Sequence, residues 1–138
     1  MKKFWAGGFL YNPDNNSVLL HQRDAKTKFN PNAWAFFGGL NEGTETPLQC
    51  FIRELSEELG CKLEDKNIIP LVDYFNEEFQ THRYVFYVLS HQPKSEFTLK
   101  EGADFDWVSL DKLAEYNLTE KTTKDLKFFI DSIQKYAQ

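Results

Sequence analysis

Four charged residues crowd one short stretch of this sequence: Arg53, Glu54, Glu57 and Glu58, in the run Arg53-Glu54-Leu55-Ser56-Glu57-Glu58-Leu59-Gly60. Leu48, Ile52, Leu55 and Leu59 recur beneath them at the spacing of one helical face, which predicts a helix. On that helix the three glutamates fall within an arc of roughly 100°, with the Leu/Ile stripe turned away from them. Like charges three and four residues apart destabilise a helix slightly, so something must offset the repulsion. One answer is a solvated acidic face steadied by an Arg53–Glu57 pair. The other is a site for a hard cation: magnesium takes oxygen ligands, keeps several waters and bridges to substrate phosphates.

The elements that would hold this helix can be read outward from it. Thr46 is a suitable N-cap, Pro47 a natural first helical residue and Gly60 a stop. Upstream, residues 4–11 predict a strand, residues 12–16 a turn and Ser17–Gln22 the returning strand. A polar loop with Arg23, Lys26 and Lys28 leads to a short aromatic strand over residues 34–37, which runs into Gly38-Gly39. Downstream, residues 71–79 and 83–89 predict a hairpin with its turn near Gln80-Thr81-His82. Residues 105–108 predict a later strand, 109–116 a short helix, and 119–136 a longer helix with Leu126, Phe129, Ile130 and Ile133 inward. Strands and helices interleave without a regular βαβ rhythm, which fits an α/β chain with a mixed sheet flanked by helices, one domain over residues 1–138.

Bulk properties narrow the function. The net charge of −5 comes with no basic stretch, which argues against a phosphate-tracking surface for duplex nucleic acid. An acidic chain still binds phosphates where a divalent cation stands between them. An aromatic fraction of 16% exceeds what a core of this size needs, leaving rings to line a ligand pocket. Cys50 and Cys61 on one helix would lie about 16 Å apart, too far for a disulfide. No run is long enough for a membrane span, and the apolar start is too short for a signal peptide. These features predict a soluble cytoplasmic protein and set no oligomeric state.

The spacing around the glutamates extends upstream. Gly39 is followed after five residues by Glu45, and after seven more by Arg53-Glu54-Leu55-Ser56-Glu57-Glu58-Leu59-Gly60-Cys61. This resembles the Nudix box, G-x5-E-x7-R-E-U-x-E-E-x-G-U, where U is a bulky aliphatic residue. All seven fixed positions match: Gly39, Glu45, Arg53, Glu54, Glu57, Glu58 and Gly60. Leu55 fills the first U, and Cys61 departs at the second, where a cysteine packs as a small hydrophobe. The N-terminal strand pair, the lead-in Trp34-Ala35-Phe36-Phe37-Gly38-Gly39 and the segment Trp107-Val108-Ser109-Leu110 are similar to MutT-like members. Phe37 stands where many of those relatives carry proline.

The resemblance implies an α/β/α sandwich and a hydrolase for the pyrophosphate linkage of a nucleoside diphosphate joined to another moiety. It implies Mg2+, with Mn2+ as a substitute. Glu57 and Glu58 would be the main metal ligands, Glu54 a further ligand or the base, and the Gly39 carbonyl a neighbour of the metal. Arg53 would orient the glutamates and Glu45 would support Arg53. Glu101 aligns, by its offset from Trp107, with a glutamate that reaches the metal in MutT-like relatives as ligand or base; Asp104 and Asp106 are the alternatives. Arg23 is placed to meet substrate phosphates, and Phe79 and Arg83 to stack on a base. His21, His82 and His91 show no metal-ligand spacing. Asn76 and Glu78 occupy the places where the ADP-ribose and diadenosine polyphosphate classes carry their proline and tyrosine. With both signatures missing, the expected substrate is a nucleoside triphosphate, oxidised forms included, cut to monophosphate and pyrophosphate. ADP-ribose, nucleotide sugars and dinucleoside polyphosphates are the alternatives, with a non-catalytic nucleotide sensor behind them.

Overall fold

The structure, a computed structural model, describes residues 2–136. Met1, Ala137 and Gln138 lie outside them. Seven strands make one mixed sheet: β1 (Phe4–Asn12), β2 (Ser17–Gln22), β3 (Trp34–Ala35), β4 (Phe37–Leu40), β5 (Ile68–Asn76), β6 (Thr81–Leu89) and β7 (Asp104–Ser109). Two α-helices join them, α1 (Pro47–Leu59) and α2 (Glu120–Tyr136).

β1 is the axis. Along one edge it runs parallel to β6, from Phe4 beside His82 to Tyr11 beside Leu89. Its other edge divides: Trp5 to Gly8 pair antiparallel with β4, and Leu10 to Asn12 with β2. β2 carries β7 on its far edge, and β5 closes the sheet beyond β6. The fork in the sheet puts β4, with Gly38 and Gly39, beside the start of β1.

Both faces of the sheet are covered. Successive strand residues point to opposite sides, so Leu19 faces one layer while Val18 and Leu20 face the other. On one side Leu10, Leu19, Phe37 and Phe86 pack with Phe51, Leu55 and Leu59 of α1. On the other, Phe9, Val18, Leu20, Phe36 and Val85 pack with Leu126 and Phe129 of α2. The result is the α/β/α sandwich expected from the sequence. Leu55 is wholly buried, and its truncation to alanine would cost roughly 2–5 kcal/mol. No helix among the described residues is long and apolar enough to cross a membrane.

Local geometry differs from the sequence expectation in four places. The 34–37 strand is two strands, because the chain leaves β2 at Ala35 and joins β1 at Phe37, with Phe36 as the crossover residue. The hairpin turns earlier, over residues 77–80: the Asn76 side chain accepts the Glu78 N–H at 3.1 Å, and Gln80 takes a φ of 52°. Residues Leu110–Glu115 form a 3-10 helix rather than an α-helix. The buried face of α1 is centred on Phe51, Leu55 and Leu59, with Leu48 and Ile52 on its flank. Glu58 lies seven residues after Phe51 and is therefore carried to the buried edge of the helix, not to the open polar side.

Candidate active site

The helix that bears the glutamates is fixed at both ends. Thr46 Oγ1 accepts the Gln49 N–H at 3.2 Å while Gln49 Oε1 accepts the Thr46 N–H at 2.9 Å, a reciprocal cap. Gly60 stops the helix in the left-handed region, φ 67°, and its N–H reaches Ser56 O at 2.8 Å. With the ends set and Phe51, Leu55 and Leu59 buried, the glutamates have little choice of direction. Glu58 Oε2 accepts the Gly38 N–H of β4 at 3.0 Å. The Glu54 carboxylate lies against Gly39, where an added Cβ would stand 2.5 Å from Glu54 Oε1 and would displace that carboxylate.

The loop before β7 is tied to the same helix end. The Lys100 N–H donates to Glu58 O at 2.8 Å and the Thr98 N–H to Leu59 O at 3.3 Å. This brings Glu101 within electrostatic range of Glu54 and Glu58.

Arg53 organises the polar side. Its Nε donates to Glu45 Oε2 at 3.0 Å and its Nη2 to Glu45 Oε1 at 2.8 Å, a two-point contact. Nη1 is shared between Glu54 Oε1 at 3.0 Å and Glu57 Oε2 at 3.1 Å, and Nη2 also reaches Leu40 O at 3.2 Å. The hydrogen bond from Arg53 holds the Glu45 carboxyl at about 2, well below the usual carboxylate range. The same bond, accepted by Glu45, raises Arg53 above its ordinary value.

Glu58 is the opposite case. It is 5% exposed, and burial, followed by the charges of Glu54, Glu101 and Glu57, pushes its carboxyl up to about 9. Burial raises Glu54 as well, with Arg53 opposing. Among the described residues no cationic side chain forms an ion pair with Glu58; its recorded partner is the Gly38 N–H. A buried carboxylate amid three others is the surrounding a divalent cation would relieve, and the donors are the hard oxygens that magnesium and manganese take. Among the described residues no three acidic, His or Cys side chains already converge on one cation position. Arg53 explains part of this, since its Nη1 holds Glu54 and Glu57. A shared cation would have to draw both away from the guanidinium.

The expected substrate contacts divide. Arg23 Nε donates to Phe29 O at 3.1 Å, and the Phe29 ring meets Phe79 edge-on at 5.2 Å, both rings about half exposed. Arg23, Phe29 and Phe79 therefore gather at one place, with Lys28 Nζ 5.5 Å from the Phe29 ring centre. Phe29 was missed by sequence reasoning; a lone aromatic in a cationic loop was the available signal. Arg83 requires a correction. It lies in the strand expected for it, but is 8% exposed, with Nε on Asp125 Oδ2 at 2.9 Å and its guanidinium 4.0 Å from the Trp5 ring centre. Buried and paired with Asp125 of α2, it is not available to stack on a base. Asp104 and Asp106 accept the N–H of their own successors, Phe105 at 2.8 Å and Trp107 at 2.9 Å. Two open clefts of about 520 and 450 Å³ are lined by none of the four glutamates.

A loop–helix–loop carrying clustered glutamates on a three-layered sandwich defines a class of phosphate-anhydride hydrolases, and comparison with known proteins agrees. A family model described as NUDIX domain matches residues 1–131. The chain is 34% identical over 99 residues to an 8-oxo-dGTP diphosphatase of Proteus vulgaris, covering 71% of this chain and 84% of the relative. It is 31% identical over 127 residues to the nucleoside triphosphatase NudI of Escherichia fergusonii, covering 85% and 89%. The crystal structure of a MutT NUDIX hydrolase from Burkholderia pseudomallei superposes with a TM-score of 0.70 at 25% identity, covering 92% of this chain and 97% of that one. The chain belongs to the Nudix family and is a MutT-like hydrolase, a pyrophosphohydrolase.

Proposed function

We propose that this chain is a Mg2+-dependent hydrolase of nucleoside triphosphates, oxidised forms included, releasing the monophosphate and pyrophosphate. The observation that carries the metal dependence is Glu58, a buried carboxylate surrounded by Glu54, Glu57 and Glu101 with no cationic side chain paired to it among the described residues. Support for the substrate comes from the two relatives, named for 8-oxo-dGTP and for nucleoside triphosphates.

Glu57 and Glu58, with Glu54, Glu101 and the Gly39 carbonyl, would hold Mg2+, and Mn2+ would substitute on the same oxygens. When bound, the metal supplies charge neutralisation at the anhydride and a lowered pKa for water. The chain's own residues do the rest. Arg53 keeps the glutamate side chains oriented, and Glu45 keeps Arg53 in place. Glu54 or Glu101 accepts the proton of the attacking water. Arg23 meets the phosphate chain, while Phe79, with Phe29 beside it, offers an aromatic face to the base. Two unpaired cysteines suit action in the reducing cytoplasm.

A hydrolysis screen with and without Mg2+ tests this, over nucleoside triphosphates, 8-oxo-dGTP, ADP-ribose, nucleotide sugars and dinucleoside polyphosphates. Monophosphate plus pyrophosphate from a triphosphate is expected, and Glu57→Gln should lower turnover by at least roughly a hundredfold. Monophosphate plus a phosphosugar would move the substrate to another Nudix class. Tight binding without turnover across the panel would make the chain a sensor.

A further inference from the structure

His21 lies outside the glutamate cluster and shows no metal-ligand spacing, yet its surroundings are unusual. It is 8% exposed at the end of β2, with its ring stacked on Phe37 at 4.8 Å. Its Nε2 is 3.0 Å from Phe36 O; a carbonyl only accepts, so Nε2 carries the proton and Nδ1 presents a lone pair. Among the described residues, Nδ1 is the one buried side-chain nitrogen or oxygen without a hydrogen-bond partner. Burial pushes the imidazole down to about 4, so the ring is uncharged at neutral pH and Nδ1 remains an acceptor.

That lone pair lies beside the loop that carries Glu101. A Cβ placed on Gly102 would stand 3.1 Å from His21 Nδ1 and 2.9 Å from Gln22 O, and Gly102 has a φ of 95°, so neither the space nor the backbone admits a side chain. The loop is pinned on both sides of Glu101-Gly102. The Lys100 N–H is held by Glu58 O at 2.8 Å, and the Ala103 N–H by Gln22 O at 2.9 Å. The N–H groups of Glu101 and Gly102 are thus the loop's remaining candidates to donate to Nδ1.

We propose that His21 is a positioning residue for the hydrolysis: its Nδ1 receives a backbone N–H of the Glu101-Gly102 turn as the loop settles on the site, and so sets how far the Glu101 carboxylate reaches toward Glu54 and Glu58. This rests on the placing of Glu101 in the active site. The energetic ground is general. A buried acceptor left unsatisfied is costly, and a hydrogen bond from the turn removes that cost while ordering the residue that works.

Two substitutions separate positioning from packing. Asn at this position puts Oδ1 where Nδ1 stood, whereas Gln puts its polar end where Nε2 stood and keeps only the Phe36 contact. His21→Asn should retain kcat to within about threefold, and His21→Gln should lower it by roughly tenfold with KM unchanged. In a Glu101→Gln background, itself slowed, His21→Gln should add nothing. Amide hydrogen exchange with Mg2+ and inorganic pyrophosphate gives a readout apart from turnover. The Glu101 or Gly102 amide should be protected in the parent and in His21→Asn, and unprotected in His21→Gln. Equal exchange in all three proteins, or losses that multiply in the double variant, would overturn the role of His21. Unchanged kcat in Glu101→Gln alone would overturn the placing of Glu101, and the inference with it. The same protection and kcat pattern on a substrate other than a nucleoside triphosphate would overturn the proposed substrate and leave His21 as proposed.

Discussion

Arg53 and Glu45 meet at two points, Nε to one carboxylate oxygen at 3.0 Å and Nη2 to the other at 2.8 Å, so that the guanidinium plane is fixed before it touches the other glutamates. Only a planar fork makes this contact. A lysine keeps the charge but makes one contact where arginine makes two, and it cannot share a second nitrogen between Glu54 and Glu57. Arg53→Lys should therefore lower kcat by roughly 10–100-fold. Steady-state kinetics at saturating Mg2+ are the check, and unchanged turnover would show that charge alone suffices.

Glu58→Gln should separate stability from activity. The Gly38 N–H still finds an acceptor in the amide, while the buried ionisable group is gone. In the metal-free chain the Glu58 carboxyl titrates at about 9 against 4.5 for an ordinary carboxyl. Between those values the unfolded chain has released a proton that the folded chain still holds, so stability falls as pH rises through the window. Thermal melts in chelator should give a Glu58→Gln protein that melts above the parent, by a margin that widens from pH 5 to pH 8. Its turnover should be lost. A lower melting temperature at pH 8 would contradict a Glu58 carboxyl that keeps its proton at a cost in stability.

The buried ion pair on the other face behaves differently. Asp125→Ala leaves Arg83 buried beside Trp5 without its partner and removes the acceptor of the Tyr74 hydroxyl, at a cost of roughly 3–5 kcal/mol. Replacing the set together, with Arg83→Met, Asp125→Leu and Tyr74→Phe, should recover most of that loss in urea unfolding. KM for the nucleotide in the triple variant should stay within about threefold of the parent if Arg83 only packs. A large rise in KM would return Arg83 to the substrate.

His21 contributes acid sensitivity. Its folded value of about 4 lies below the ordinary 6.5, with Arg23 and Asp24 the charged groups nearest in effect. Below pH 6.5 the unfolded chain binds a proton that the folded chain refuses, so stability falls as pH drops toward 4, by on the order of 3 kcal/mol. His21→Gln should flatten that part of the stability profile. An unchanged slope between pH 6.5 and pH 4 would place the acid sensitivity elsewhere.

Much of the architecture was legible because periodicity and punctuation carried it. Thr46, Pro47 and Gly60 bracket α1 to the residue, and the alternation in β2 sends Leu19 and its neighbours to opposite layers. The glutamates could be placed on one helix, but not their depths. Spacing put Glu58 with Glu54 and Glu57 on a polar face, whereas the position of Phe51 carries Glu58 inward, and only packing against β4 decides that. Arg83 was misread for a related reason. Its surroundings depend on Asp125, forty-two residues further on, and on Trp5 of β1, contacts that leave no periodic trace. Phe29 was invisible beside its charged neighbours because its partner, Phe79, is fifty residues away.

Gly38 touches both helical layers at once. Its N–H holds the Glu58 carboxyl of α1, and the place of its missing Cβ is filled by the β1 backbone at Ala6 and Gly7 together with the Trp5 indole, which packs with the core under α2 and carries Arg83 on its face. At this point the sheet works as a diaphragm a single residue thick. Pressure applied behind it, by resizing Trp5 or recasting the Arg83 pair, would be felt in front as a displaced amide. A directed-evolution library confined to the rear layer could therefore tune the chemistry without altering any glutamate.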